Sequence, residues 1–351
     1  MDCIVFLIEL KKGYFVGKQI KTNEGIDMKI RNIIMITFLF AAGMITSCLS
    51  QKQDELRDVT LPVGYIPNVQ FAPFYVAIDK GFYLEEGIDL KLQYGYEIDA
   101  VSLVGTGEYP FAVVSGEQVL LAREQGLPVT YVMNWYKDYP IGISVLKDSG
   151  IETLDDLGGK KIGIPALQGA SYIAYEALMD FAGLSTVDVD LEVIGFTQAE
   201  MLSTGKVDAV VIYAANTPVQ LRNQGIETNT FIVSDYMHLI GNGLIVNDAL
   251  MAEDPDFIKS IVRATLKGIE FSTDFPEETY EICKKYVENL DENSDGIQYQ
   301  VLEASIPFWS AETNGATEES GWKTMSDLLK QIGLINSDIP LDNVYTNEYL
   351  P

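Results

Sequence analysis

Histidine and cysteine are scarce in this sequence, which has one histidine and three cysteines among 351 residues. No cysteine pair has the spacing of a zinc site, and His238 stands alone. Cys3 and Cys48 precede the predicted folded part, so Cys283 is left there without a disulfide partner. The sequence therefore lacks the signature of a zinc site and of a thiol-based catalytic triad.

Positive charge is also in short supply, with 24 Lys and Arg residues against 51 Asp and Glu residues and a formal net charge of −27. Residues 1–47 contain six basic and four acidic residues, so their removal leaves −29. A charge of this sign repels nucleic acid and anionic lipid surfaces, and we expect neither as a partner. No glycine-rich phosphate-binding loop occurs either. We interpret the acidity as a solvated surface and not as an acidic catalytic cluster.

A long apolar run occurs near the N-terminus, where residues 28–47 carry two basic residues, an apolar stretch and then small residues. This layout predicts a secretory signal peptide. Residues 45–48 (ITSC) resemble a bacterial lipobox, so we expect Cys48 to be acylated and to attach the chain to a membrane. The alternative is an uncleaved anchor, but the run is short of the ~20 residues that a helical span needs. We interpret residues 1–27 as a start-site extension and residues 48–58 as a polar tether.

The stretch at residues 63–83 joins a predicted strand to a predicted helix through a polar, aromatic-rich turn. Apolar residues alternate before the turn and recur at helical spacing after it. A second alternating run at residues 88–94 completes a strand–helix–strand unit, which favours parallel strands. Ligands of such sheets bind beyond the carboxyl ends of the strands. We therefore predict that the turn is half of a ligand site, formed by Tyr65, Asn68, Gln70 and Phe71.

Polar and aromatic residues also stand at the ends of other predicted strands. One such strand runs into a helix start at Ser115, where the backbone amides are either free for a ligand or capped by the serine hydroxyl. Another ends at Trp135, whose indole is either a core residue or a pocket wall. The predicted binding residues of this group are Ser115, Glu117, Asn134, Trp135, Tyr213 and Asn216.

The turn pattern is repeated once along the chain. The arrangement P-x-x-Q-x-A at residues 67–72 recurs at residues 165–170, in both cases after a predicted strand and before a predicted helix. We expect Ser171 to cap the second of these helices. Three matched positions are weak evidence alone, but both copies occupy the same place in a strand–turn–helix unit.

The motif GYIPNVQFAPFYVA at residues 64–77, followed by KGFY at residues 80–83, is similar to that of a class of ABC-importer solute-binding proteins. This is the sulfonate/nitrate/thiamine-precursor class, of which LDDLGGK at residues 154–160 and GKVDA at residues 205–209 are also typical. Within the class, the first motif most resembles receptors for riboflavin and for thiamine pyrimidine precursors. The resemblance implies a two-lobed α/β fold of the periplasmic-binding-protein type (type II), with mixed sheets flanked by helices and a hinge between the lobes.

The resemblance also implies roles for single residues. Tyr65 and Asn68 match the aromatic and amide residues of the first-lobe motif. The start of the second-lobe helix is matched by Gln168, Gly169, Ser171 and Tyr172. Phe71 stands where the pyrimidine-binding branch and the related pyrimidine synthase usually have histidine, and the cysteine-rich motif of that synthase does not occur here. Both departures count against pyrimidine recognition and against enzyme activity.

The expected lobe boundaries follow from this fold. We assign residues 59–147 to the first part of lobe 1, residues 148–238 to lobe 2, and residues 239–351 to a helical second part of lobe 1. His238 then falls at a lobe boundary, where a structural role is favoured over that of a base.

The expected function is that of a lipid-anchored extracytoplasmic receptor that delivers a flat heteroaromatic nutrient to an ABC permease. Riboflavin is the first choice and a thiamine pyrimidine precursor the second, because the predicted site has rings and amides but no cation. One alternative is a pyrimidine-forming enzyme on the same scaffold, which consumes its own histidine and needs iron. The other is a receptor for an alkylsulfonate or nitrate. We expect a monomer that has no cofactor and is not an enzyme.

Overall fold

The computed structural model describes residues 56–185, 187–288, 290 and 296–351. The strands are β1 (Arg57–Gly64), β2 (Ile88–Gly95), β3 (Phe111–Ser115), β4 (Val129–Asn134), β5 (Ile141–Leu146), β6 (Lys161–Ile164), β7 (Asp190–Val193), β8 (Ala209–Tyr213), β9 (Thr228–Ile232) and β10 (Asn242–Asn247). The helices are α1 (Ala72–Asp79), α2 (Phe82–Glu85), α3 (Glu97–Gly105), α4 (Gly116–Glu124), α5 (Gly169–Phe181), α6 (Gln198–Ser203), α7 (Thr217–Asn223), α8 (Asp248–Glu253), α9 (Pro255–Asp274), α10 (Pro276–Cys283), α11 (Ile297–Ser305) and α12 (Glu319–Gln331).

The first sheet has the strand order β2-β1-β3-β10-β4. β1 pairs in parallel with β2 along its whole length, and it also pairs in parallel with β3. The predicted strand–helix–strand unit is thus confirmed. β10 runs antiparallel to β3, so its first residue, Asn242, lies beside Ser115, the last residue of β3. Asn242 therefore lies at the carboxyl ends of the parallel strands, although it is the first residue of its own strand.

The second sheet has the strand order β7-β6-β8-β5-β9. β6 pairs in parallel with β7 and β8, whereas β5 is antiparallel to β8 and β9. β5 belongs to this sheet, so the chain crosses from the first sheet to the second at residues 135–140, before the predicted boundary at residue 147. An apolar sequence suits a strand of either sheet, so the sequence of β5 does not show which sheet the strand joins. The chain returns at residues 233–241, a segment that contains the predicted boundary after His238.

The first sheet is covered by the C-terminal helix α9 together with α1. Buried residues of α9 such as Ile258, Ile261 and Val262 belong to the same apolar cluster as Leu61 of β1. Gly268 of α9 lies directly against the backbone of α1. The predicted helical second part of lobe 1 thus contributes α9 to the cover of the first sheet.

The N-terminal predictions fall outside the described residues. These are the extension at residues 1–27, the signal peptide at residues 28–47 and Cys48. β1 begins at Arg57, so the predicted tether ends two residues earlier than expected. Within the described part of the chain, no helix is long and apolar enough to cross a membrane. Cys283 is a buried free thiol.

Candidate functional site

A cavity of about 640 Å³ is lined by residues from both lobes, which is a size typical of small-ligand sites. The two P-x-x-Q-x-A turns contribute to it from opposite lobes. Nine of the predicted site residues line the cavity: Tyr65, Gln70, Phe71, Trp135, Gln168, Gly169, Ser171, Tyr213 and Asn216. Five do not: Asn68, Ser115, Glu117, Asn134 and Tyr172.

The first turn is shaped by Asn68, whose side-chain oxygen accepts a hydrogen bond of 3.0 Å from the Gln70 amide. This bond caps the 3-10 turn Val69–Phe71, so Asn68 orients its cavity-lining neighbours. Tyr65 has a φ of +75°, in the left-handed region that residues with a side chain rarely adopt. Its ring meets Phe196 of the second lobe edge-on, with centroids 4.9 Å apart. Tyr65 therefore bridges the cavity.

The aromatic wall of the cavity centres on Trp135. Phe71 stacks on the indole at 5.4 Å, and Phe74 meets it edge-on at 5.0 Å. Trp135 is only 3% exposed, yet it borders the cavity. Its indole N–H is buried and donates no hydrogen bond. Both interpretations of Trp135 therefore apply. The residue is packed in the core, and it also forms part of the cavity wall.

The second turn differs from its prediction at Ser171. Helix α5 begins at Gly169 with Gln168 as the N-cap residue, so Ser171 lies inside the first turn and the expectation that it caps the helix is wrong. Gly169 has a φ of +68°, a conformation that suits glycine. Tyr172 lies outside the cavity lining, with its ring near that of Tyr175 at 6.3 Å.

The helix start at Ser115 is occupied by a protein carboxylate. Both the Ser115 amide and the Ser115 hydroxyl donate to Oε2 of Glu97, at 3.0 and 2.6 Å. The hydroxyl also makes a close contact with Oε1 of Glu117, and it makes no capping bond to the helix. Neither predicted arrangement is present, since the Ser115 amide is not free and the hydroxyl is not a cap.

The carboxyls of Glu97 and Glu117 affect each other's protonation. Burial raises the pKa of both groups, and repulsion from Glu97 helps to bring the pKa of Glu117 to about 7. A serine hydroxyl has one proton and can donate to only one carboxylate at a time. Glu117 is therefore the carboxyl of the pair that takes up a proton near neutral pH. Glu117 also accepts a bond of 3.2 Å from the hydroxyl of Tyr139.

Residues 68–279 match the NMT1/THI5-like family. The chain belongs to the NMT1/THI5-like family. The riboflavin-binding protein RibY of Chloroflexus aurantiacus is 37% identical over 319 residues, which cover 89% of this chain and 91% of the relative. The formylaminopyrimidine-binding protein of Halalkalibacterium halodurans is 26% identical, over 85% of this chain and 94% of its own.

A further relative bears the name of an enzyme. The 4-amino-5-hydroxymethyl-2-methylpyrimidine phosphate synthase of Legionella pneumophila is 25% identical, over 84% of this chain and 92% of its own. Among solved structures, the periplasmic aliphatic sulphonate-binding protein SsuA of Escherichia coli has a TM-score of 0.65 at 14% identity, covering 82% of this chain and 91% of its own. The two-lobed periplasmic-binding-protein fold and the family resemblance are confirmed.

The cavity-lining residues of this NMT1/THI5-like protein that were not predicted from its sequence include Glu97 and Asn242. Glu97 begins α3, and its side chain crosses Gly64 to reach Ser115. A Cβ added at Gly64 would lie 2.9 Å from Cγ of Glu97. Asn242 donates a hydrogen bond of 2.7 Å from Nδ2 to Oε1 of Glu97. An acidic residue in the first turn of a helix usually indicates a favourable charge at the helix end, so Glu97 carried no distinctive signal.

Asn134 lies on the other side of its strand from the cavity. Its side-chain oxygen accepts a hydrogen bond of 2.7 Å from the hydroxyl of Tyr131. Trp135 and Tyr136, which follow the strand, both line the cavity, whereas the Asn134 side chain is held by Tyr131. In the described part of this NMT1/THI5-like chain, no group of three or more His, Cys, Asp or Glu side chains is arranged to hold a metal ion.

Proposed function

We propose that this protein is the solute-binding receptor of an ABC importer and that it holds riboflavin between its lobes. The observation that carries the proposal is the aromatic lining of the cavity, to which Tyr65, Phe71, Trp135 and Tyr213 contribute rings. Amide side chains such as Gln70, Gln168 and Asn216 surround these rings and supply donors and acceptors for ring edges. A flat heteroaromatic ligand uses both kinds of contact.

The charge of the cavity argues against a sulfonate or nitrate ligand. All of its lining residues are described, and they include two glutamates but no Lys, Arg or His. Anionic ligands are usually held by cationic side chains or by free backbone amides at helix ends. Here the Ser115 amide is already bound to Glu97. The 37% identity to a riboflavin-binding protein supports the choice of riboflavin.

A pyrimidine-forming enzyme is the second candidate, favoured by the 25% relative that bears such a name. An enzyme that consumes its own histidine needs that histidine beside the substrate. The one histidine of this chain, His238, lies between β9 and β10 and is not among the cavity-lining residues. The proposal is therefore that of a receptor without enzyme activity.

The ligand can be tested by flavin fluorescence. Titration of the protein into riboflavin should quench the emission at micromolar protein, because the isoalloxazine ring would stack on cavity aromatics. Unfolded protein at the same concentration is the control for nonspecific quenching. An unquenched signal, together with tight binding of an alkylsulfonate measured by calorimetry, would show that the cavity takes an anion instead.

We further propose that the receptor is extracytoplasmic and anchored by lipid on Cys48, a residue that lies outside the described part of the chain. Replacement of Cys48 by alanine should release the protein in soluble form, because acylation requires the thiol. Fractionation of cells that express the parent or the variant measures the change. Cys283→Ala is the matched control and should remain with the membrane. Equal membrane retention of the parent and Cys48→Ala would contradict the anchor.

A further inference from the structure

The floor of the cavity is formed where Glu97 crosses the carboxyl end of β1. The carboxylate of Glu97 accepts hydrogen bonds from the Ser115 amide and from Asn242, and it shares the Ser115 hydroxyl with Glu117. A carboxylate offers about four acceptor positions, so one remains unused. Glu97 is also a cavity-lining residue, and the unused position is available to a ligand.

Asn242 supplies a second unused acceptor beside it. The residue lines the cavity and is 5% exposed, and its side-chain oxygen is buried without a hydrogen-bond partner. The bond from Nδ2 to Glu97 fixes the orientation of the amide, because only the nitrogen can donate to a carboxylate. An unpaired buried acceptor is unfavourable unless a ligand or water satisfies it.

A buried donor completes the floor. The backbone amide of Trp135 donates to the carbonyl of Asn242 at 2.9 Å, so the two residues are adjacent. The indole N–H of Trp135 has no acceptor. The cavity lining thus includes spare acceptors on Glu97 and Asn242 and a spare donor on Trp135, whose backbone is bonded to that of Asn242. A ring edge with an N–H group beside a carbonyl matches this combination.

We propose that Glu97 and Asn242 determine the specificity of the cavity by binding the N–H of an imide or lactam edge of the ligand ring. This inference rests on the proposed function, in which riboflavin supplies such an imide. The same acceptors exclude an anionic group from this end of the cavity, because a carboxylate repels it. The choice among ligands then depends on whether the ring edge carries an N–H donor. The aromatic wall contributes affinity for any flat ring.

The protonation of the floor should make binding depend on pH. The groups that face the carboxyls of Glu97 and Glu117 are the Ser115 hydroxyl and the phenols of Tyr131, Tyr139 and Tyr213. Burial raises the pKa of each of these tyrosines well above its usual value, so they stay neutral. A second proton on the pair converts the Glu97 acceptor into an acid. Affinity for a donor edge should therefore fall as pH falls through the raised pKa values of the pair.

The inference can be tested with a ligand that differs from riboflavin only by a methyl group on the imide nitrogen. The parent should bind 3-methylriboflavin, which lacks the imide N–H, about tenfold or more weakly than riboflavin, as expected for loss of a hydrogen bond to a charged acceptor. Glu97→Gln should bind riboflavin about tenfold or more weakly than the parent, and it should bind both flavins with similar affinity. The decline of riboflavin affinity as pH falls should be smaller in this variant than in the parent.

Glu108→Gln is the matched control, since Glu108 is an exposed carboxylate of the same lobe outside the cavity lining. It should bind both flavins as the parent does. Equal binding of riboflavin and 3-methylriboflavin by the parent would overturn the inference and leave the proposed function intact. Failure of the parent to bind riboflavin at all would instead remove the proposed function, and the inference with it.

Discussion

Replacement of Tyr65 by glycine should weaken riboflavin binding by about fivefold to over a hundredfold, while the protein remains as stable as the parent to within about 1 kcal/mol. Aromatic stacking on a heterocycle contributes roughly 1–3 kcal/mol per ring, which gives this range. Tyr65 holds a φ of +75°, and that conformation costs a residue with a side chain about 1 kcal/mol. Glycine adopts it without strain, which offsets the packing lost with the ring.

Fluorescence titration and thermal denaturation of the same preparations measure the two effects separately. Burial raises the pKa of Tyr65, and the Asn216 side chain of the second lobe opposes this rise. Tyr65→Phe keeps the ring and removes only the hydroxyl, so it should retain more affinity than the glycine variant. Phe181→Ala removes an exposed ring outside the cavity lining and should leave binding unchanged. Parent-like affinity in Tyr65→Gly would show that this ring does not stack on the ligand.

Replacement of Gly268 by alanine should lower the free energy of unfolding by about 2 kcal/mol or more. A Cβ at this position would lie 2.2 Å from the carbonyl oxygen of Pro73 and 2.9 Å from Cβ of Ala77. The first of these atoms belongs to the backbone, so α9 and α1 would have to separate. Overpacking of this kind costs about 1–3 kcal/mol and occasionally more, which exceeds the gain of about 1 kcal/mol from alanine in a helix.

Urea denaturation of the parent and the variant measures this loss as a lower midpoint. Gly158→Ala is the matched control, because its nearest neighbour atom would be at an ordinary 3.5 Å and its φ of −55° suits alanine. It should change stability by less than about 0.5 kcal/mol. An unchanged midpoint in Gly268→Ala would mean that α9 and α1 do not pack at this distance. Riboflavin affinity should also fall in Gly268→Ala, since α1 follows Phe71 directly.

Much of the fold was predictable from local patterns. Alternating apolar residues before and after the first turn located β1 and β2. The exception among the strands is β5, which falls within the residues 59–147 assigned to lobe 1 but pairs in the second sheet. The apolar sequence of β5 indicates that both faces of the strand are buried. It does not indicate whether β4 or β8 is the neighbouring strand.

Part of the cavity was predictable for the same reason. Gln70 and Gln168 follow parallel strands in the two lobes, and the rule that ligands bind at the carboxyl ends of such strands placed both of them at the cavity. The rule failed for residues at the same ends whose side chains face elsewhere. Asn134 faces away from the cavity, and Ser115 is used by Glu97.

The sequence alone determined the strand–turn–helix units, the rings at their turns and the lack of a zinc-site or thiol-triad signature. Only the tertiary structure decided which turns share a cavity and what lies at its floor. Glu97 begins α3, Asn242 begins the antiparallel strand β10, and Gly64 leaves the space through which the Glu97 side chain reaches Ser115. These residues are up to 178 positions apart along the chain. Local patterns report which face of an element is buried, whereas contacts between distant residues depend on the order and direction in which strands pair.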